Sequence, residues 1–245
     1  MKDQFESFYL TLNFKKNKRN EIRRVLNDLY KKSEKKSIDV WTVLYNLKIP
    51  AREGIGKIEG VQIISKLRDF LAKKQNYRCC YCQRYLYNIA YSRPIEHILP
   101  RSKYPRFSLV LYNLAISCYD CNHKKSDNVW WPEITNKGSY PLKSDLDGAF
   151  HYNHHNYDEH ISWVGYSSNN FAFTIYNGIS DEGRKLYQDL LRDISRTDIL
   201  LSRNDNFKPS LENLKLLREK GLGGKEVQEF INDLQSKIIS SAIFR

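Results

Sequence analysis

No run of eighteen apolar residues occurs in the 245-residue chain, so a conventional membrane-spanning helix is not expected. The N-terminus, Met1-Lys2-Asp3-Gln4, lacks the apolar core of a secretory signal, which makes the cytoplasm the expected location. No internal repeat or low-complexity tract stands out. Cysteine is scarce and its count is odd, at five; without a secretory signal this argues against a disulfide framework. Acidic residues are also short, 28 against 40 Lys and Arg, for a net charge of +12 and a pI near 9.4. That imbalance favours a polyanionic partner, most commonly nucleic acid. The 41% hydrophobic content suits a globular core, and the length allows one large domain or two small ones.

All five cysteines lie between Cys79 and Cys121, and this stretch organises the chain. Cys79 and Cys82 form one C-x-x-C and Cys118 and Cys121 a second. Two such pairs supply the four thiolates of a tetrahedral structural zinc, against the plainer reading of buried reduced thiols. Cys80 is left over as a packed thiol. A closed four-cysteine site does no chemistry itself. Its effect is to bring Glu96-His97 close to Asn122-His123-Lys124-Lys125, a segment that should open a helix after Cys121. A carboxylate with an amide or imidazole can hold a hard divalent cation, and a neighbouring histidine can take a proton from attacking water.

On these residues the stretch resembles the HNH endonucleases, the ββα-metal nucleases, in the form H-N-N: Glu96-His97, then Asn113 in Tyr112-Asn113-Leu114, then Asn122 in Cys121-Asn122-His123. The resemblance implies Glu96 and Asn122 as ligands of a catalytic Mg²⁺ or Mn²⁺, His97 as general base, and Asn113 as the brace of the loop that orients His97. It also implies Zn²⁺ on Cys79, Cys82, Cys118 and Cys121. Many relatives carry Cys-His where this chain has Cys-Asn followed by His123, so Asn122 and His123 compete for the ligand role; they point about 100° apart on a helix and only one can face Glu96. A treble-clef zinc module without catalysis is the competing reading, but it does not require Glu-His and Asn113. Ile95-Glu96-His97-Ile98-Leu99-Pro100-Arg101-Ser102-Lys103, then Lys125-Ser126-Asp127-Asn128 and Asp158-Glu159-His160-Ile161, is further similar to the PtuB-type HNH proteins of Septu and retron-associated anti-phage defence systems. Those work beside an ABC-like ATPase of the PtuA type. Arg101, Lys103, Lys124 and Lys125 are the expected phosphate contacts flanking the metal.

The fold class expected is α+β, a mainly helical chain around the ββα-metal core and its four-cysteine zinc. Three regions are expected: a basic N-terminal helical region, 1–56; the nuclease core, 57–130; and a loop-rich, then helical, region, 131–245. Phe8 to Leu12 is β-prone and reads as an edge strand or tethered coil. Ile22, Val25, Leu26 and Leu29 recur at helical spacing within a lysine- and arginine-rich run whose outer face is either solvated or on phosphate. Ser37 can cap a short helix with Trp41, Leu44 and Tyr45 in the core, and Ile63 to Leu71 mark a helix running to about Lys74. His151, His154, His155 and His160 are expected to pack rather than to bind a second metal. Ile161 to Val164 and Phe171 to Ile175 suggest a hairpin; helices are expected around Leu186–Ile194, Leu211–Leu217 and Val227–Ile238. The function expected is divalent-dependent cleavage of DNA. The alternatives are an RNA-cleaving HNH nuclease and a zinc-dependent nucleic-acid-binding adaptor with a vestigial site.

Overall fold

The computed structural model describes residues 4–87, 93–130, 138–146, 148–167 and 172–195. It is a mixed α+β structure of helices and two-stranded sheets. The chain divides into two compact units, one of Met1–Ser162 with Asn177–Ile194 and one of Trp163–Tyr176 with the residues after 194. No helix among the described residues is long and apolar enough to cross a membrane.

The N-terminal run that reads as an edge strand or tethered coil is a helix, α1 (Glu6–Thr11). Phe5, Phe8, Tyr9 and Leu12 stand at i, i+3, i+4 and i+7, and all four are buried. Burying each large apolar side chain is worth about 1.5–3 kcal/mol, whereas the whole strand-propensity scale spans only about 1 kcal/mol, so the spacing that buries all four prevails. Phe8 meets Phe70 edge-on, with ring centroids 5.7 Å apart, and so ties α1 to α4 (Gly60–Lys74). The boundary expected at 56/57 therefore lies inside the first unit.

Helix α2 (Lys16–Lys36) buries Ile22, Leu26, Leu29 and Ser33 along one stripe. Ser33 donates to the Arg106 carbonyl at 2.6 Å. Ser37 does not cap the next helix; it ends α2 in the left-handed region with φ 50°. The start of α3 (Trp41–Tyr45) is held instead by Asp39, whose Oδ1 accepts the Trp41 N–H at 2.8 Å. Of its three candidate core residues only Leu44 is fully buried; Trp41 is half-buried and Tyr45 is 57% exposed. Strands β1 (Lys48–Ile49) and β2 (Ile58–Glu59) pair antiparallel and close off the glycine-punctuated loop. At Gly60 a Cβ would fall 1.5 Å from the Leu44 carbonyl oxygen, so only glycine admits this approach of α3 to α4.

Helix α4 runs over the expected residues and buries Ile63, Ile64, Leu67, Leu71 and Ala72. Asn76 and Tyr77, both at positive φ, turn the chain into the first cysteine knuckle. Buried Gln75 acts as a strand surrogate: its Oε1 accepts the Ile116 N–H at 2.6 Å and its Nε2 donates to the Ile116 carbonyl at 3.0 Å. Strands β3 (Ile95–His97) and β4 (Leu114–Ile116) pair antiparallel in the register Ile95↔Ile116, Glu96↔Ala115, His97↔Leu114. Helix α5 (Tyr119–Lys125) follows at once, its first turn capped by the Cys118 sulfur, which accepts from the Cys121 N–H.

Strands β5 (Ile161–Ser167) and β6 (Ala172–Gly178) form the expected hairpin sheet, with its turn outside the described residues. Helix α6 (Asp181–Leu186) is capped by Ser180 and continues through a π-turn, Tyr187–Leu191, to Ile194, burying Leu186, Leu190 and Leu191. The helices expected around Leu211–Leu217 and Val227–Ile238 lie outside the described residues.

Candidate metal centre and the adjoining groove

The four cysteines of the two C-x-x-C pairs are buried, and their sulfurs all lie within 4.8 Å of one another. Cys82 and Cys118 sulfurs are 3.7 Å apart. A disulfide requires about 2.05 Å, whereas four thiolates each about 2.3 Å from one zinc stand about 3.8 Å apart. The cluster could thus hold a metal ion such as zinc. Local structure builds each half. In the first knuckle the Cys79 N–H donates to the Arg84 carbonyl at 3.0 Å and the Gln83 N–H to the Cys79 carbonyl at 3.1 Å, with Gln83 at φ 55° making the turn. In the second, α5 presents Cys118 as cap and Cys121 one turn on. Arg84 and Asp120 clasp the halves from outside at 2.5 Å. Burial raises the Cys79 thiol, but hydrogen bonds from Cys118, Cys121, Cys80 and Cys82 outweigh it and hold it well below its ordinary range. Cys80, outside the cluster, is pushed well up by burial and stays a packed thiol.

The cysteines dock α5 against the β3–β4 pair, and this brings the other candidate residues together. Cys118, Cys121, Asn122 and Lys125 fall at i, i+3, i+4 and i+7, one face of a helix. Asn122 Nδ2 donates to Glu96 Oε2 at 2.5 Å. His123 lies on the other side, stacked on exposed Tyr119 with centroids 5.7 Å apart and rings 5° from parallel. Asn122, not His123, is therefore the residue that meets Glu96. The Glu96 carboxylate is buried, at 3% exposure; burial pushes its pKa up, against the pull of Lys125, Asn122 and Tyr81.

Lys125 is expected on phosphate; instead its side chain is fully buried and its Nζ stands 2.7 Å from Glu96 Oε1 and 3.2 Å from the His97 carbonyl. The helical face it shares with Asn122 turns it inward, and the uncompensated carboxylate supplies the partner a buried ammonium needs. Lys124 is half-exposed and paired with Asp193 at 2.5 Å. Lys103 is exposed, and Arg101 is paired with Asp39.

His97 Nε2 lies 3.0 Å from the Ser108 carbonyl. A carbonyl only accepts, so Nε2 carries the proton and Nδ1 is the basic nitrogen of the neutral ring. Burial lowers its pKa to about 4, the Ser108 bond opposing, so the ring is neutral at pH 7. Asn113 is buried and saturated. Its Oδ1 accepts the Leu99 N–H at 2.7 Å and the Tyr140 hydroxyl at 3.1 Å, while its Nδ2 donates to the carbonyls of Leu99 at 3.0 Å and Phe107 at 3.1 Å. It clamps the loop that returns from His97.

Glu96, His97, Arg101 and Asn122 line one groove of about 600 Å³, and Asp39, Trp41 and Asp127 line it with them. Trp41 meets the His97 ring edge-on, centroids 4.8 Å apart. Asp39 and Trp41 come from a region no motif pointed to; Tyr81, whose hydroxyl donates to Glu96 Oε1 at 3.2 Å, sits in the C-C-Y-C run without a signal of its own. Among the described residues the only cluster of three or more ligand-type side chains is the cysteine one. His151, His155 and His160 are buried and hydrogen-bonded instead. Comparison with protein-family models, with curated proteins and with solved structures finds no match for this chain.

Proposed function

We propose that the protein is a divalent-dependent HNH-type endonuclease that hydrolyses phosphodiester bonds of DNA, with a structural zinc on Cys79, Cys82, Cys118 and Cys121. The observation that carries this reading is the meeting, in one open groove, of a neutral histidine locked in a single tautomer with a buried carboxylate and an amide. Glu96 and Asn122 are the hard donors that Mg²⁺ or Mn²⁺ prefers, and with the Asn122 amide turned to present its oxygen they would hold such an ion. When bound, the ion supplies charge stabilisation to the pentavalent phosphorus centre and the leaving oxygen. His97, through Nδ1, takes a proton from the attacking water. Ser108 and Asn113 keep that nitrogen free of the proton, and Arg101 is placed to bind a neighbouring phosphate once it leaves Asp39. The fuller reading is an effector of prokaryotic anti-phage defence acting beside an ABC-like ATPase; it rests on the motif similarity alone.

The competing reading is a nucleic-acid-binding adaptor, and chelation separates the two. As a nuclease, the protein cuts plasmid DNA in Mg²⁺ or Mn²⁺, stops in EDTA, and stops when Glu96→Gln or Asn122→Ala removes a donor. An adaptor retains DNA binding through the same treatments and never cuts. Parallel reactions on RNA decide the substrate class.

A further inference from the structure

Asn113 does not stand alone: a directed chain of hydrogen bonds reaches it from outside the β3–β4–α5 elements. The Asn153 N–H donates to His151 Nδ1 at 3.2 Å. A backbone N–H cannot accept, so Nδ1 is the bare nitrogen of His151 and Nε2 bears the hydrogen. His151 Nε2 lies 2.7 Å from the Tyr140 hydroxyl, which must therefore accept, leaving its single hydrogen for Asn113 Oδ1 at 3.1 Å, with the Tyr112 carbonyl a longer second acceptor at 3.3 Å. The Asn113 Nδ2 hydrogens are then committed to the Leu99 and Phe107 carbonyls. Phe107 precedes Ser108, whose carbonyl takes the His97 Nε2 hydrogen, and Leu99 lies two residues after His97. Backbone N–H groups at both ends set these polarities: that of Asn153 fixes the His151 ring, and that of Leu99, donating to Asn113 Oδ1, fixes the asparagine amide.

We propose that Tyr140 and His151 are positioning residues that fix the tautomer and orientation of His97 through Asn113. Their packing fits this role. His151 is fully buried, so it has no solvent to substitute for a lost partner, and the half-buried Tyr140 is held edge-on against Phe107 with centroids 5.2 Å apart. Tyr140 holds the asparagine amide, and the asparagine holds both arms of the loop around His97. The inference rests on His97 acting as the base.

The test uses the zinc-loaded full chain and the variants Tyr140→Phe, His151→Leu and His151→Gln. Glutamine can place an amide N–H near the position of Nε2, so it retains the donor to Tyr140, whereas leucine does not. Tyr140→Phe and His151→Leu should each lower kcat about tenfold, the loss of roughly one hydrogen bond's worth of orientation. DNA affinity and zinc content should stay as in the wild type, and His151→Gln should retain most of the activity. Nitrogen-15 spectra of the His97 ring provide a readout independent of turnover: the wild type should show the Nε2–H tautomer, with Nδ1–H becoming populated in Tyr140→Phe and His151→Leu. If the wild type does not cut DNA, the nuclease reading fails while the ring spectra still decide the positioning. Unchanged ring spectra in both variants, or a loss in His151→Gln as large as in His151→Leu, would overturn the proposal.

Discussion

Replacing Lys125 by methionine separates a buried structural cation from a phosphate contact. At 2.7 Å from Glu96 Oε1, the gross attraction is about 6 kcal/mol at an effective dielectric of 20. Desolvation costs several kcal/mol for each ion, so the intact pair contributes little net stability. Removing one partner is different, because the other stays buried and uncompensated, at a cost of roughly 3–5 kcal/mol. Methionine fills the same volume, but Glu96 then keeps only Asn122 and Tyr81 as partners. Urea denaturation of Lys125→Met, Glu96→Gln and the double variant should show each single change costly and the double change less costly than their sum, with a coupling of about 2–4 kcal/mol. Losing a phosphate contact would also lower the salt dependence of DNA binding by about one ion; Lys125→Met should leave that slope unchanged. Single variants that cost under about 1 kcal/mol and add within about 0.5 kcal/mol would refute the buried-pair assignment, as would a reduced slope.

Three further outcomes follow from the same geometry. Cys118→Ser should lose bound zinc, measured by elemental analysis, and fold poorly, because Cys118 both joins the sulfur cluster and caps α5; a stable, zinc-free variant would contradict the structural role. Asp39→Asn keeps the cap on Trp41 but removes the carboxylate from Arg101. Both side chains are partly exposed, so stability should change by less than about 1 kcal/mol, while DNA binding tightens and becomes more salt-dependent; unchanged binding would remove Arg101 from the interface. His97 carries a folded pKa of about 4 against an ordinary 6.5, so the unfolded chain binds more protons between those values. Stability should therefore be full above pH 6.5 and fall as pH drops toward 4, by up to roughly 3 kcal/mol. His97→Gln should flatten that part of the urea-midpoint profile, and an equally steep profile would assign the acid sensitivity elsewhere.

The parts of the site set by local spacing were legible in the sequence. Two C-x-x-C pairs fix four sulfurs within two tight turns, and the helix that follows carries Asn122 onto the face of Cys118 and Cys121. Lys125 lies on that same face, but its charge suggested the surface; the i, i+3 relation to Asn122 was the available signal and should have outweighed it. Phe5, Phe8, Tyr9 and Leu12 carry a helical period that the β-prone composition of residues 8 to 12 obscured. What could not be read was the long-range closure. Asp39 and Trp41 reach the groove from more than fifty residues before Glu96-His97, and Tyr140 and His151 reach Asn113 from after the cysteine stretch. No periodicity links such residues, because their contacts exist only once α2, α3 and the returning loop have packed.

The role of His97 as base is tested most directly by plasmid cleavage by wild type and His97→Ala side by side in Mg²⁺ or Mn²⁺, with zinc content and folding checked for both. With His97 as the base, the wild type cuts and His97→Ala does not, although the variant is folded and retains its zinc. A folded His97→Ala protein that still nicks DNA at the wild-type rate would remove His97 as the base.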